Sequence, residues 1–271
     1  MTYIILRDTF GRGLETISNI GLEVIDEHQL DDYIYDAAQI ILREDNQYNS
    51  VSDYHDDGNI RMEEILVICE TKEDYSFKAL ERARIPDSKL KLLINTHTPG
   101  VSGSILTGIE NSKNQTVLVY PADELIGIFQ INRMTDALKE NIGMVSATRY
   151  SKGGLRLGKG AITGNALSRL FSIATYCFTF GKFSDLTTGI KLLNRTIIDL
   201  PPLLNSQGWT YPMEIQLNAM LHRKKVIEIG ITSIDRPLDG KSSYKAIQWT
   251  KSYLNVLFYY LIKKIKSVKA K

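Results

Sequence analysis

The chain has 271 residues, 43% of them hydrophobic and 24% charged, with a formal net charge of +2. That balance excludes a disordered or fibrous chain and leaves room for one large domain, or one plus a small addition. The two cysteines, Cys69 and Cys177, stand far apart in apolar stretches. They form neither a disulfide framework nor a CxxC metal motif, which fits a reducing, cytoplasmic setting.

The charge is unevenly spread. Residues 1–60 carry 13 Asp/Glu against 3 Lys/Arg, a balance of −10, so the rest of the chain stands at +12. The start, MTYIILRDTFGRG, has charges interrupting any apolar core and does not read as a secretory signal. A short strand is expected over Tyr3–Arg7, then a glycine-bearing turn, an apolar stretch near Gly21–Ile25 and a helix around Leu30–Arg43. A polar link, EDNQYNSVSDYHDDGN (44–59), follows. Residues 1–60 thus read as an acidic N-terminal addition. His55, Asp56 and Asp57 belong to a solvated linker rather than to a metal site.

From Glu64 onward strands and helices alternate. Strands are expected at 64–70, 90–95, 116–121 and 142–148, and helices at 74–84, 101–112 and 125–139. This is the pattern of βαβ units: an α/β fold with a mainly parallel, Rossmann-like sheet flanked by helices, placed over 61–250. Ligands of such sheets bind at the carboxyl ends of strands. The residues there are Thr71 and Glu73, Asn95, Asp123 and Arg149, a set suited to phosphorylated substrates. The loop SKGGLRLGKG (151–160) mimics GxxxxGK but has Gly160 where a P-loop needs Ser or Thr. The GKS at 240–242 also fails, because Asp235 stands where the first glycine belongs. The glycines of 151–160 instead suggest a mobile flap carrying Lys152, Arg156 and Lys159.

Five segments follow one another in a fixed order: TVLVYPADE (116–124), SATRYSKGG (146–154), DLTTGIKLLNR (185–195), GWTYPMEI (208–215) and DRPLDGKSS (235–243). Together with the glycine-bearing helix GVSGSILTG (100–108), they resemble the inverting family-2 glycosyltransferases of GT-A fold. Within that family they are similar to the dolichyl- or polyprenyl-phosphate sugar transferases such as dolichol-phosphate mannosyltransferase. The resemblance covers about residues 64–250 and implies transfer of a sugar from a GDP- or UDP-linked donor to a polyprenyl phosphate. It implies Asp123 as catalytic ligand of Mg²⁺ or Mn²⁺, with Glu124 a second candidate. On the donor side it implies Thr71, Glu73, Asn95 and Gly103. For the acceptor phosphate it implies Arg149, Lys152, Ser168, Arg236, Lys241 and Ser242. Asp185 and Glu214 complete the catalytic set, as general base for a hydroxyl acceptor or as positioning groups for a phosphate that is already ionised.

The sequence departs from that family in places. Pro121 replaces the first acid of the DxD motif, NTHTPG (95–100) stands where a base-contacting acidic run is expected after the second strand, and CETKED (69–74) stands where the first strand should end in proline. Part of the donor half is therefore supplied by residues 1–60 or is absent. A transferase to a glycan hydroxyl and a nucleotide-sugar-binding protein without chemistry stay open as alternatives.

The last segment, 251–271, pairs an apolar stretch (Tyr253–Ile262) with five lysines in KKIKSVKAK. Ten helical residues span about 15 Å against a hydrocarbon core of about 30 Å, too short to cross. The segment lies on the cytoplasmic face of a membrane as an amphipathic helix, or it is a last core helix with a polar tail. Nucleic acid is disfavoured as partner, because the lysines gather at the tail without interleaved aromatics. The oligomeric state is not legible.

Overall fold

The structure, a computed structural model, describes residues 2–6, 63–73, 90–121, 131–157, 162–204, 210–234 and 246–269. In chain order the elements are β1 (Thr2–Leu6), β2 (Glu64–Cys69), β3 (Leu90–Ile94), α1 (Val101–Asn111), β4 (Thr116–Pro121), α2 (Ile131–Ala137) and β5 (Met144–Thr148). There follow β6 (Leu155–Leu157), α3 (Ile162–Phe178), β7 (Lys191–Asn194), α4 (Thr210–Leu221), β8 (Val226–Gly230), β9 (Thr232–Ile234) and α5 (Ala246–Lys269). The strands expected at 64–70, 90–95, 116–121 and 142–148 form within two residues of those limits, as does the helix at 101–112. The helix expected over 125–139 is seen as α2. The helices expected at 74–84 and 30–43, the apolar stretch at 21–25 and the linker 44–59 lie outside the described residues.

Seven strands make one sheet in the order β3-β2-β1-β4-β7-β5-β8. All neighbours are parallel except around β7, which runs antiparallel to both β4 and β5. For residues 2–6 this topology differs from the reading of an N-terminal addition; residues 7–60 lie outside the described residues. β1 pairs in parallel with both β2 and β4, Ile4 facing Leu66 on one side and Val119 on the other. The first strand is therefore an interior member of the main sheet.

The interior strands read as unbroken apolar runs because both faces of the sheet are covered. EILVIC in β2 is buried at every position. One face packs against α2 through Ile131 and Met134, with Ile65, Val67, Leu118 and Tyr120 beneath them. The opposite face, with Leu66, Ile68, Val117 and Val119, meets α1 and α4 through Ile105, Ile109, Tyr211 and Ile215. The far side of α4 packs through Met213 and Leu217 onto Tyr253, Val256 and Tyr260 of α5. Helix α4 is thus enclosed between sheet and α5, which explains why it is buried almost all round rather than on one stripe.

Candidate active site

Because β7 runs against its neighbours, the loop before it, 183–190, arrives at the same edge where the parallel strands end. That edge gathers the residues after β2 (Glu70), β3 (Asn95), β5 (Arg149) and before β7 (Asp185).

The tightest cluster joins Arg149 to Asp185. The guanidinium grips the carboxylate in a fork, with Nε 2.8 Å from Oδ2 and Nη2 3.1 Å from Oδ1. Nη2 also donates to Thr187 Oγ1 at 2.7 Å. The Arg149 amide and the Thr187 amide and hydroxyl donate to the same carboxylate. Asp185 is 1% exposed. Burial would raise its carboxyl, but Arg149 outweighs burial and holds the carboxyl down at about 2. Burial likewise opposes the charge on Arg149, yet Asp185 raises the guanidinium above its usual range. Planar, bidentate and always charged, Arg149 is fixed in direction as a lysine would not be. Among the described residues, its two Nη1 hydrogens have no hydrogen-bond partner, and its side chain keeps 17% exposure.

A second layer holds this pair. Glu228 on β8 accepts the Ser184 amide at 2.8 Å, the Ser184 hydroxyl at 2.7 Å and the Asp185 amide at 3.3 Å. Ser184 Oγ meets Thr148 Oγ1 at 2.8 Å, tying the loop to the end of β5. Ser172 of α3 donates to the Ser184 carbonyl. Beneath lies Lys191, 0% exposed, with Nζ 2.6 Å from both Ser146 Oγ and Gln216 Oε1. Burial lowers its ammonium to about 8, while Asp185 and Glu228 pull the other way.

Arg149 and Asp185 therefore come together, and the contacts of Asp185 are to Arg149 and Thr187. Its oxygens are occupied, and a carboxyl at about 2 is a poor base near neutral pH. Glu214, on α4, is 0% exposed. Its Oε2 accepts the Leu204 amide at 3.0 Å, whereas Oε1 has no partner among the described residues. Burial pushes this carboxyl up to about 7. Ser168 meets the Tyr150 hydroxyl at 2.8 Å, and Arg169 lies 4.9 Å above the Tyr150 ring. Lys152 is exposed in the turn after Arg149.

That turn is not the free flap expected from its glycines. Leu155 donates to the Ile231 carbonyl at 2.9 Å, and β6 pairs in parallel with β9. A Cβ on Gly230 would lie 2.5 Å from the backbone of Gly153 and Gly154, and one on Gly154 would lie 2.7 Å from the backbone of Arg149, so these two glycines serve close backbone approach. Lys159, Asp123, Glu124, Arg236, Lys241 and Ser242 lie outside the described residues.

On the other half of the edge, Glu70 is the organising residue. Its carboxylate accepts the Ser104 hydroxyl at 2.9 Å, the Gly100 amide at 3.2 Å and Asn95 Nδ2 at 3.2 Å. It thus serves the start of α1, which has no side-chain cap of its own. Asn95 is spent on the turn: Nδ2 also donates to the Thr98 carbonyl, while Oδ1 accepts from His97 and Thr107. Gly103 has a packing reason, since a Cβ there would lie 2.0 Å from the Thr98 carbonyl oxygen. Thr71 and Glu73 are exposed beyond β2.

Sequence inspection missed Thr187, Glu228, Lys191 and Glu70. A signal existed for two of them: Glu228 is a charged residue inside the strand VIEIG, and Lys191 opens the strand KLLN beside two leucines.

No known family profile matches the sequence, and no curated relative is found. Solved structures do match. One is a mycobacterial protein, at TM-score 0.58 and 10% identity over 96% of this chain and 74% of the other. Another is glucosyl-3-phosphoglycerate synthase from Mycobacterium tuberculosis in complex with phosphoglyceric acid, at TM-score 0.57 and 11% identity over 96% and 80%. The same enzyme with Mn²⁺, UDP-glucose and phosphoglyceric acid matches at TM-score 0.57 and 10% identity over 96% and 79%. At these identities the likeness shows the fold: this chain adopts the GT-A architecture expected from its sequence.

Proposed function

We propose that the chain is a glycosyltransferase that moves a sugar from a nucleotide diphosphate sugar, GDP- or UDP-linked, to a polyprenyl phosphate with inversion. The observation that carries it is Arg149, a guanidinium locked in a buried fork at the carboxyl edge of the sheet with its Nη1 side left for an anion. In the reaction, an acceptor phosphate oxygen forms a bond to the anomeric carbon. The bond from that carbon to the donor diphosphate breaks, and the nucleoside diphosphate leaves with the electron pair.

The described carboxylates favour an acceptor that arrives ionised. Asp185 is committed to Arg149 and Glu214 is enclosed, so neither is placed to deprotonate an alcohol. Arg149 holds the acceptor phosphate, and Asp185 and Thr187 keep it aimed. The shift of the sheet by one strand supports the donor half. With β1 inside the sheet, CETKED (69–74) follows the second strand, which is where the family's base-contacting acidic run belongs. Thr71 and Glu73 are its exposed members.

Mg²⁺ or Mn²⁺ fits as the cation. Among the described residues no three His, Cys, Asp or Glu gather into a cage. A single carboxylate completed by diphosphate oxygens is then the fitting arrangement, and Asp123, two residues past the end of β4, is the ligand we assign. The metal would stabilise the charge that builds on the leaving diphosphate. The neighbour solved with Mn²⁺ and UDP-glucose supports this choice.

A second reading, transfer to a soluble phosphorylated hydroxy acid, is favoured by the phosphoglyceric acid bound in the same neighbours. Thermal stabilisation by UDP, GDP, CDP and dTDP, each with Mn²⁺ and with chelator, tests the donor site. One nucleotide should raise the melting temperature only with metal. No shift with any of the four would refute the transferase reading.

A further inference from the structure

We infer that the outer face of α3 and α5 is a seat for an anionic lipid bilayer, placing the Arg149 edge at the headgroup layer. The inference rests on the lipid-phosphate reading above and deepens it.

On the solvent side of α3, Leu170, Ile173 and Tyr176 are 63%, 53% and 50% exposed, and Phe180 just past its end is 76% exposed. On α5, Leu254, Phe258, Ile262 and Ile265 are 40%, 58%, 52% and 46% exposed. At about 100° per residue the four positions on α5 fall within roughly 80° of arc, a continuous stripe. Two contacts lay the stripes side by side. The rings of Phe171 and Tyr253 are 5.5 Å apart, and Lys264 Nζ lies 4.1 Å over the ring of Phe180. Since 171 meets 253 and 180 meets 264, the helices run in parallel and their apolar faces adjoin. Soluble monomers rarely expose so much contiguous apolar surface without a partner.

Charge identifies the partner. Neither helix contains a single Asp or Glu, whereas Arg169, Lys251, Lys263 and Lys266 are exposed along them. An aliphatic and aromatic stripe on two helices that carry cations and no acid complements a surface that is apolar below and anionic above. Among the described residues no helix is long and apolar enough to cross a membrane, so the pair lies in the interface. The face also begins at the site: Ser168 and Arg169 both contact Tyr150, the residue after Arg149, and Leu170 opens the stripe. A lipid phosphate could then meet Arg149 while its chain stays in the bilayer, an advantage that a soluble acceptor would not share.

The test uses the full chain and sedimentation with vesicles of phosphatidylcholine, alone or mixed with phosphatidylglycerol. A polarity-sensitive dye on Cys177, exposed on α3 while Cys69 is buried, gives a second readout. Binding to the mixed vesicles should exceed binding to phosphatidylcholine alone by at least about tenfold, with a blue shift of the dye. The double variant Leu170→Glu, Phe258→Glu should lose about a hundredfold in affinity; both sites are exposed, and an unchanged circular dichroism spectrum checks the fold. Absence of binding to the mixed vesicles, or equal binding by the double variant, would overturn the seat. So would a dimer in light scattering that the double variant dissociates without any vesicle binding, because the face would then belong to a second copy. Nucleotide stabilisation measured on the same samples separates the two ideas. If it persists while vesicle binding fails, the seat falls and the transferase reading stands; the opposite pattern retains the seat and removes the transferase.

Discussion

Asp185 and Glu214 are equally hidden from solvent, yet burial has opposite outcomes for them. Asp185, on the loop before β7, meets a guanidinium and is held at about 2; Glu214, inside α4, meets the Leu204 amide and the Thr210 side chain but no cation, and burial pushes it up to about 7. The partner, not the burial, decides whether a carboxylate keeps its charge. Glu70, on the other half of the edge, is half-buried and served by amide and hydroxyl donors.

Asp185→Asn should have the largest effect, about 3 to 5 kcal/mol of stability at neutral pH, because it strands a buried guanidinium. Chemical denaturation reads it. The folded carboxyl lies below its ordinary 3.8, so this stabilisation is complete above about pH 4 and is lost as pH falls towards 2. The gap between wild type and variant should close in that acid window.

Arg149→Lys retains charge but loses the fork. Transfer should fall by about 10² to 10³, with stability reduced less than in Asp185→Asn. A transfer rate within a factor of two of wild type would place the acceptor phosphate elsewhere. Glu70→Gln should cost about 1 to 3 kcal/mol, since its donors stay but the anion at the start of α1 is removed. Calorimetry would show it as a lower melting temperature.

Glu214→Gln should matter least, with a stability change below about 1 kcal/mol at pH 5. The folded carboxyl is raised above its ordinary 4.5; its stabilising share is present at low pH and lost as pH rises through 7. The variant should therefore gain on wild type between pH 5 and 8. A constant difference across that range would contradict the buried environment of Glu214.

Much of the sheet was legible because strands covered on both faces are continuous apolar runs, as EILVIC and TVLVYP show. What failed was neighbourhood. The strand Thr2–Leu6 is separated by 57 residues from the strand it pairs with, and no local pattern tells that it inserts between β2 and β4. The same limit applies to the site. Arg149 and Asp185 were each visible after a strand or beside a turn, but their fork spans 36 positions and forms only where β5 and β7 adjoin. Glycine misled as well: SKGG reads as a flexible loop, while Gly230 opposite makes it a close backbone contact. In α5, Tyr253, Val256 and Tyr260 pack in the core, as the last-core-helix reading expects, while Phe258 and Ile262 face out. Its 24 residues also exceed the ten allowed for it; with the lysines of its second half, it is lack of apolarity rather than length that keeps it from crossing.

The decisive measurement is sugar transfer from labelled GDP- and UDP-sugars with Mn²⁺ to a polyprenyl phosphate in mixed phosphatidylcholine and phosphatidylglycerol vesicles, beside 3-phosphoglycerate in solution. The account predicts a lipid-linked product from one donor that Arg149→Lys reduces by at least about a hundredfold. Product on 3-phosphoglycerate alone, or none on the lipid from any donor, would contradict it.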